Sequence, residues 1–409
     1  MANLLLKNFN QVYGYEKRED GKSLSIFIRD GIIEHIMPFD ELIMRVDKAK
    51  MRDTEIVKCD GMIALPGYVD AHTHLLFYGT REDELYMRAQ GKPYMEILHK
   101  GGGIHNTVRA VREASEEELL KNGLKYLNRA LMSGITTIEI KSGYGLDYEN
   151  EKKMLKVINQ LNDYHPVDIV PTFLVHSVPK NMNRKKYIDL VCEQMIPEFK
   201  TYTDWFDIFV EKGVFDIKES EKMLKTAMDQ GYHTCIHTNQ INDIGGIKLA
   251  SELGVRHVDH LEVLSEKDAQ RIIDDKDLYA VFLPAAEMYV FSENIGQINQ
   301  LSDIPERIVI STDFNPGSSP VLSPIFIQSL ALLRYRIGTP SLLVDSFTVN
   351  PAEMLYLDDR GILNPGKHGD IFCLELDTFR QIPYLGNMQI RRLIVKSGKV
   401  IKDLVRFNV

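Results

Sequence analysis

The sequence predicts an α/β protein, a (β/α)8 TIM barrel carrying a small β-sandwich domain built from both termini. Three observations predict it. Between about residue 64 and residue 315, short β-rich runs alternate with helical patterns, as they do in a parallel sheet wrapped by helices. Eight such runs can be counted, the number that closes a (β/α) barrel. Both ends of the chain instead carry strand alternation that does not fit the repeat.

Taken in order, residues 1–62 read as β, most plainly in Ser23-Leu-Ser-Ile-Phe-Ile-Arg-Asp-Gly-Ile-Ile33. The barrel strands are the runs Leu65 to Leu76, Ile135 to Lys141, Ile169 to His176, Phe206 to Glu211, Tyr232 to His237, Arg256 to His260, Leu278 to Leu283 and Ile308 to Asp313. Between them, Ser115 and Glu118 form a capping-box pattern before a helix that stops at Gly134. Lys218 to Gln230 reads as another, ended by Gly231. A helical linker, Thr348 to Leu355, leads to a second β piece around Asp370-Ile-Phe-Cys-Leu-Glu-Leu376. The economical arrangement is a composite β-domain of residues 1–62 and 350–409 beside a barrel of residues 63–349.

Bulk composition narrows the function classes. With 409 residues, 44% hydrophobic and 26% charged, the chain is an ordinary globular one and not a disordered or fibrous one. The net charge of −9, from 49 basic and 58 acidic residues without a basic block, argues against nucleic acid and leaves a small molecule as the expected ligand. The opening Met-Ala-Asn-Leu-Leu-Leu-Lys-Asn turns polar too soon for a signal peptide. No apolar run approaches the roughly 18 residues of a membrane span. A cytoplasmic protein is expected, with no membrane partner and a homodimer among the open assembly states. Cys59, Cys192, Cys235 and Cys373 are scattered without a Cys-x-x-Cys pair, so they are expected to be reduced and packed.

His72-Thr-His74 carries the first chemistry. Residues two apart on a strand point the same way, so two imidazole nitrogens can aim at one metal ion. A barrel keeps its chemistry at the carboxyl ends of its strands. His237 closes the fifth run and Asp313 the eighth, which makes three imidazoles and a carboxylate with room left for water. Each has a plainer reading alone: a packed histidine, or an aspartate shaping the turn before Asn315-Pro-Gly317. Their joint placement at strand ends is what favours a metal.

On these residues and on Gly79-Thr-Arg81, Gly101-Gly-Gly-Ile104, Lys141-Ser-Gly-Tyr-Gly145, Thr172-Phe-Leu-Val-His176, His257-Val-Asp-His-Leu-Glu262 and Thr312-Asp-Phe-Asn-Pro-Gly-Ser-Ser319, the chain resembles the amidohydrolase superfamily. Within it, the resemblance is to the imidazolonepropionase family and covers nearly the whole length. It implies hydrolysis of the cyclic amide of 4-imidazolone-5-propanoate to N-formimidoyl-L-glutamate, with a single Zn²⁺ or Fe³⁺. A bridging carbamylated lysine has no clear counterpart, and Lys212 reads as solvated or structural. Asp313 can move the water proton to the leaving nitrogen, and His260 can orient water or stabilise the oxyanion. Arg81 offers a planar fork for the propanoate carboxylate. The resemblance adds Tyr144, His176, Asn315, Gly317 and Ser318 to the pocket, with Tyr94 as a further contact. The glycine run 101–103 lacks the Lys-Ser/Thr of a phosphate loop and reads as a loop near the pocket.

One departure stands out. Imidazolonepropionases usually carry an acidic pair after the fifth-strand histidine, where this chain has Asn239 and Gln240. Gln240 can bond a ring but cannot take a proton. Three readings stay open: an imidazolonepropionase with altered ring contacts, an amidohydrolase or deaminase for another nitrogen heterocycle, or a metal-binding protein with weak turnover.

Overall fold

The computed structural model describes residues 3–16, 19–47, 51–92, 102–386 and 388–401. Eight parallel strands form the central sheet: Tyr68–Asp70, Ile135–Lys141, Asp168–Val175, Trp205–Val210, His233–Thr238, His257–His260, Tyr279–Phe282 and Ile308–Ile310. Each pairs with the next in chain order. The first and last are joined by a parallel bridge, Thr73 to Phe314, with His74 N donating to Phe314 O at 3.0 Å and Asp313 N to His72 O at 3.1 Å. Closure is therefore made by the segments that bear the candidate ligands.

The helices are signalled locally. Ser115 caps Glu116–Met132 in a full capping box with Glu118, as its spacing predicts. Asp216 and Glu219 form a second box at the start of Ile217–Asp229. Outward strand residues such as Ile138, Ile140, Phe206 and Ile236 join the helices' apolar faces in the main core. The inward residues Val69, Cys235, Val281 and Val309 pack against Ala352 and Met354, so the helix Val349–Met354 plugs the lower end.

Two further sheets come from the chain ends. Asn3–Phe9, Leu24–Arg29, Ile32–Pro38 and Thr54–Lys58 form one. The other joins Gln11–Val12 and Ile63–Pro66 to Ile371–Leu374, Arg392–Lys396 and Lys399–Val400. Leu4, Leu6 and Ile26 of the first share a core with Ala64, Ile371 and Val395 of the second. That is a sandwich.

The predicted first strand, Leu65 to Leu76, is corrected. Ile63–Pro66 belongs to the terminal sheet, pairing with Ile371–Leu374, and only Tyr68–Asp70 enters the barrel. The break falls at Gly67, where an added Cβ would lie 2.2 Å from Thr136 Oγ1. The Thr136 side chain fills the space a Cβ would take, so the position needs a residue without a side chain. All four cysteines are free and buried. No helix among the described residues is long and apolar enough to cross a membrane.

Candidate metal centre and active site

His72 and His74 follow the first barrel strand and His237 lies in the fifth, and the fold gathers them. Their ligand nitrogens lie within 4.8 Å of one another, and all three residues are buried. His74 Nε2 and His237 Nε2 stand 3.5 Å apart. Asp313 Oδ1 lies 3.4 Å from His74 Nε2 and 3.6 Å from His72 Nε2. The predicted ligand set is therefore one cluster.

Two of the imidazoles are oriented from below. His72 Nδ1 is hydrogen-bonded to Asp259 Oδ2 at 2.7 Å, and His257 Nδ1 holds the other oxygen of Asp259 at 2.6 Å. His237 Nδ1 is 3.0 Å from Asp207 Oδ2, in contact although off the line of an ideal hydrogen bond. A carboxylate against Nδ1 fixes the proton there and turns the Nε2 lone pair to the opposite side. His72 Nε2 is buried with no hydrogen-bond partner among the described residues. An orphaned lone pair facing two more imidazoles and a carboxylate is the donor set that a Zn²⁺-type or iron cation accepts. The residues fit a metal.

Charge distribution follows the same geometry. Burial and the Lys141 ammonium hold His72 well below the ordinary imidazole value, and burial lowers His237 as well. Both are kept neutral, as ligation requires. Burial works against the Asp313 carboxylate, but His74, His72 and His260 bring it down to about 2. His260 goes the other way: burial opposes its protonation, yet Glu262, with Nδ1 to Oε1 at 3.1 Å, pushes it up to about 9.

His260 is one residue out of phase with the inward-facing Asp259. Its φ of 87° turns the ring back towards the cluster, 5.3 Å from the His237 ring and 5.9 Å from the His72 ring. Asp313 has φ of 50° and Asn239 φ of 55°. Such left-handed residues are costly and gather where a site needs side chains re-aimed.

The pocket residues divide. Tyr144 and His176 flank the cluster, with their rings 5.8 Å and 6.4 Å from that of His74. Burial pushes the Tyr144 phenol up and takes His176 down to about 3, so both are neutral hydrogen-bonding groups near pH 7. Arg81 is already paired bidentately with the buried Glu84, Nε to Oε1 at 3.0 Å and Nη2 to Oε2 at 2.7 Å. Glu84 also accepts from Gly103 N at 2.9 Å, which ties the glycine segment to Arg81. Gly317 faces the same guanidinium so closely that a Cβ would lie 2.1 Å from Arg81 Nη1.

Asn315 braces its own loop. Its Oδ1 accepts from the amides of Gly317 and Ser318 at 2.8 Å and 2.7 Å, and its Nδ2 donates to Asp313 O at 2.6 Å and Ser318 Oγ at 2.9 Å. Asn239 similarly donates to Val263 O at 2.7 Å. Gln240 is half-buried, with no side-chain hydrogen bond among the described residues. Tyr94 and Gly101 lie outside the described residues. Lys212 is exposed, in keeping with a solvated lysine.

Sequence reasoning missed the layer under the imidazoles. Lys141 is fully buried, with Nζ 2.8 Å from Asp207 Oδ2 and 2.9 Å from Glu139 Oε1. Burial disfavours its ammonium, yet chiefly Asp207 holds it well above the ordinary lysine value. Asp207 and Asp259 are held low by their histidine neighbours despite burial, whereas burial keeps Glu139 high. The available signal was charge at alternate positions, Glu139 and Lys141, inside an apolar strand.

The family model described as the amidohydrolase family matches residues 63–401. The imidazolonepropionase of Geobacillus kaustophilus is 37% identical over 92% of this chain and 89% of its own length. That of Bacillus cytotoxicus is 34% identical over 98% and 97%. Among solved structures, N-isopropylammelide isopropylaminohydrolase from Burkholderia multivorans covers 98% of each chain at TM-score 0.71 and 18% identity. The 5-methylcytosine deaminase of Klebsiella pneumoniae covers 99% of this chain and 100% of its own at TM-score 0.72 and 14% identity. These structural likenesses speak to the fold, while the sequence matches reach further: the chain belongs to the amidohydrolase family and, within it, to the imidazolonepropionases.

Proposed function

We propose that the chain hydrolyses the cyclic amide bond of 4-imidazolone-5-propanoate to N-formimidoyl-L-glutamate, the third step of histidine degradation. One observation carries this reading. His72, His74, His237 and Asp313 converge next to Arg81, Tyr144 and His176, in a chain whose imidazolonepropionase relatives match it over more than nine-tenths of its length.

His72, His74, His237 and Asp313 would hold one metal ion, Zn²⁺ or Fe³⁺. Bound there, it supplies a Lewis acid for the ring carbonyl and lowers the pKa of water towards about 7. Asp313, ionised down to about pH 2, is the base that takes the water proton and passes it to the leaving ring nitrogen. His260, protonated below about pH 9, donates to the oxygen on which charge develops. Arg81, kept in one orientation by Glu84, meets the propanoate with the guanidinium edge that the pair leaves open. Tyr144 and His176 offer neutral hydrogen bonds to the ring. Ser318 lines the loop that Asn315 shapes, and Gln240 is the ring contact that replaces an acid.

On the same footing we divide the chain into a barrel of residues 63–349 and a β-domain of residues 1–62 and 350–409. The pairing of Ile63–Pro66 with Ile371–Leu374 favours moving the first boundary to Gly67. A cytoplasmic location remains the expectation. The test is to incubate metal-loaded protein with freshly prepared imidazolone propanoate and follow N-formimidoyl-L-glutamate by mass spectrometry. Product at enzyme-dependent rate supports the reading, and no product between pH 6 and about pH 9, where Asp313 is ionised and His260 protonated, sinks it.

A further inference from the structure

The hydrolytic reading leaves the charged layer beneath the imidazoles without a role. Lys141 ends the second barrel strand, and its Nζ faces carboxylates from three elements: Asp207 at 2.8 Å, Glu139 at 2.9 Å and Asp259 at 3.8 Å. Each of the three leads to a different part of the ligand set. Asp207 stands against His237 Nδ1 at 3.0 Å. Asp259 holds His72 Nδ1 at 2.7 Å and is pinned on its other oxygen by His257. Glu139 Oε2 accepts from Thr73 N at 3.1 Å, the residue between His72 and His74, while Thr73 Oγ1 donates to Glu139 O at 2.6 Å. The Lys141 amide itself donates to Thr73 O at 2.9 Å.

The carboxylates that back His237, His72 and the Thr73 amide, from the fourth, sixth and second strands, therefore all face this one ammonium. Like-charged carboxylates in an enclosed site repel, and the Lys141 ammonium lies within reach of both Asp207 and Asp259. Lysine suits the place because its single charged nitrogen can face several oxygens at once, where a guanidinium would impose a plane. Any buried ammonium needs acidic partners; what distinguishes this one is that two of them, Asp207 and Asp259, also stand against His237 and His72.

We propose that Lys141 is a positioning residue of the metal centre: its ammonium anchors Asp207 and Asp259 in the places from which they aim His237 and His72 at the metal. This rests on the reading of His72, His74, His237 and Asp313 as the ligand set. It makes the second strand, which contributes no ligand, the keystone of the centre.

The probe is Co²⁺, added to the metal-stripped full chain against a chromophoric chelator, with its d–d absorption recorded alongside. Wild-type protein comes first: if it binds no cobalt, the ligand set itself is overturned and Lys141 falls with it. Given wild-type binding, Lys141→Met should weaken cobalt about 10–100-fold, the range for supporting residues, and shift the d–d bands. Thermal unfolding should stay cooperative. A folded Lys141→Met protein with wild-type affinity and spectrum overturns the proposal while leaving the ligand set intact. Should that variant fail to fold, Asp207→Asn tests the same link at nearly constant shape; it should weaken cobalt to a similar extent, and unchanged affinity is again contrary. In the double variant the loss should be no larger than the greater single loss. Losses that multiply would mean that the two act separately, which contradicts the anchoring role.

Discussion

The two halves of this site are built differently. On the metal side, His72 and His237 are each backed by a buried aspartate on a barrel strand, and the aspartates are backed by Lys141. On the substrate side, Arg81, Asn315 and Gly317 sit on loops or at a helix start, and their contacts are with neighbouring helix and loop groups such as Glu84, Arg88 and Ser318. The imidazole half is a buried interior feature whose side chains are held from barrel strands. The substrate half is an adjustable rim set by how loop groups share their hydrogen bonds, which is where an unusual residue such as Gln240 can be carried. Barrels generally divide labour this way, with strands fixing geometry and loops setting specificity.

Breaking the interior half should cost most. His237→Ala removes a proposed ligand, so metal affinity should fall by more than the about 10–100-fold typical of a supporting residue, and hydrolysis should vanish with it. Metal analysis of the purified variant checks this, and full metal content would undo the assignment. Breaking the rim should spare the metal. Arg81→Ala should lower kcat/KM roughly 10–100-fold, the scale of a lost charge-assisted hydrogen bond, mainly through KM. Gly317→Ala should act in the same direction, because its Cβ can be accommodated only by moving the Arg81 guanidinium. An unchanged KM in both would leave Arg81 a structural partner of Glu84 alone.

Between the halves, His260 gives a pH signature. If it acts as the acid, kcat/KM should fall as pH rises through about 9. Glu262 is the main group raising that value, so Glu262→Gln should move the falling limb to lower pH. The sign for stability follows: with an ordinary value of 6.5 and a folded value of about 9, the pair's contribution is complete below pH 6.5 and lost as pH climbs through about 9. A limb at the same pH in the variant would remove Glu262 from the account. The smallest expected effect is at Gln240→Glu. It places a titratable group at the proposed ring contact, so the acidic limb of the profile should change while metal content does not. Superimposable profiles would mark the position as silent.

What could be read in advance follows the same division. His72, His74, His237 and Asp313 were legible because period-two strands ending in polar residues have one natural place in a barrel. Gly67 hid a sheet change inside an apparently continuous run, since apolar residues serve a sandwich and a barrel equally. The cluster of Asp207, Asp259 and Lys141 was overlooked because each is a charge within an apolar strand, and only the closed barrel brings them together. Asn315 is expected as a pocket contact, and hydrogen bonds inside its own loop already engage both ends of its amide. Spacing cannot reveal how a side chain's bonds are already shared.

The central claim is that one metal, held by the interior half, drives ring opening at the rim. Titrating metal-stripped protein with Zn²⁺ or iron while following imidazolone propanoate hydrolysis tests it most directly. Activity should rise in proportion to added metal and level off at one equivalent per chain. Turnover in the stripped protein, or a plateau reached only at two equivalents, would contradict it.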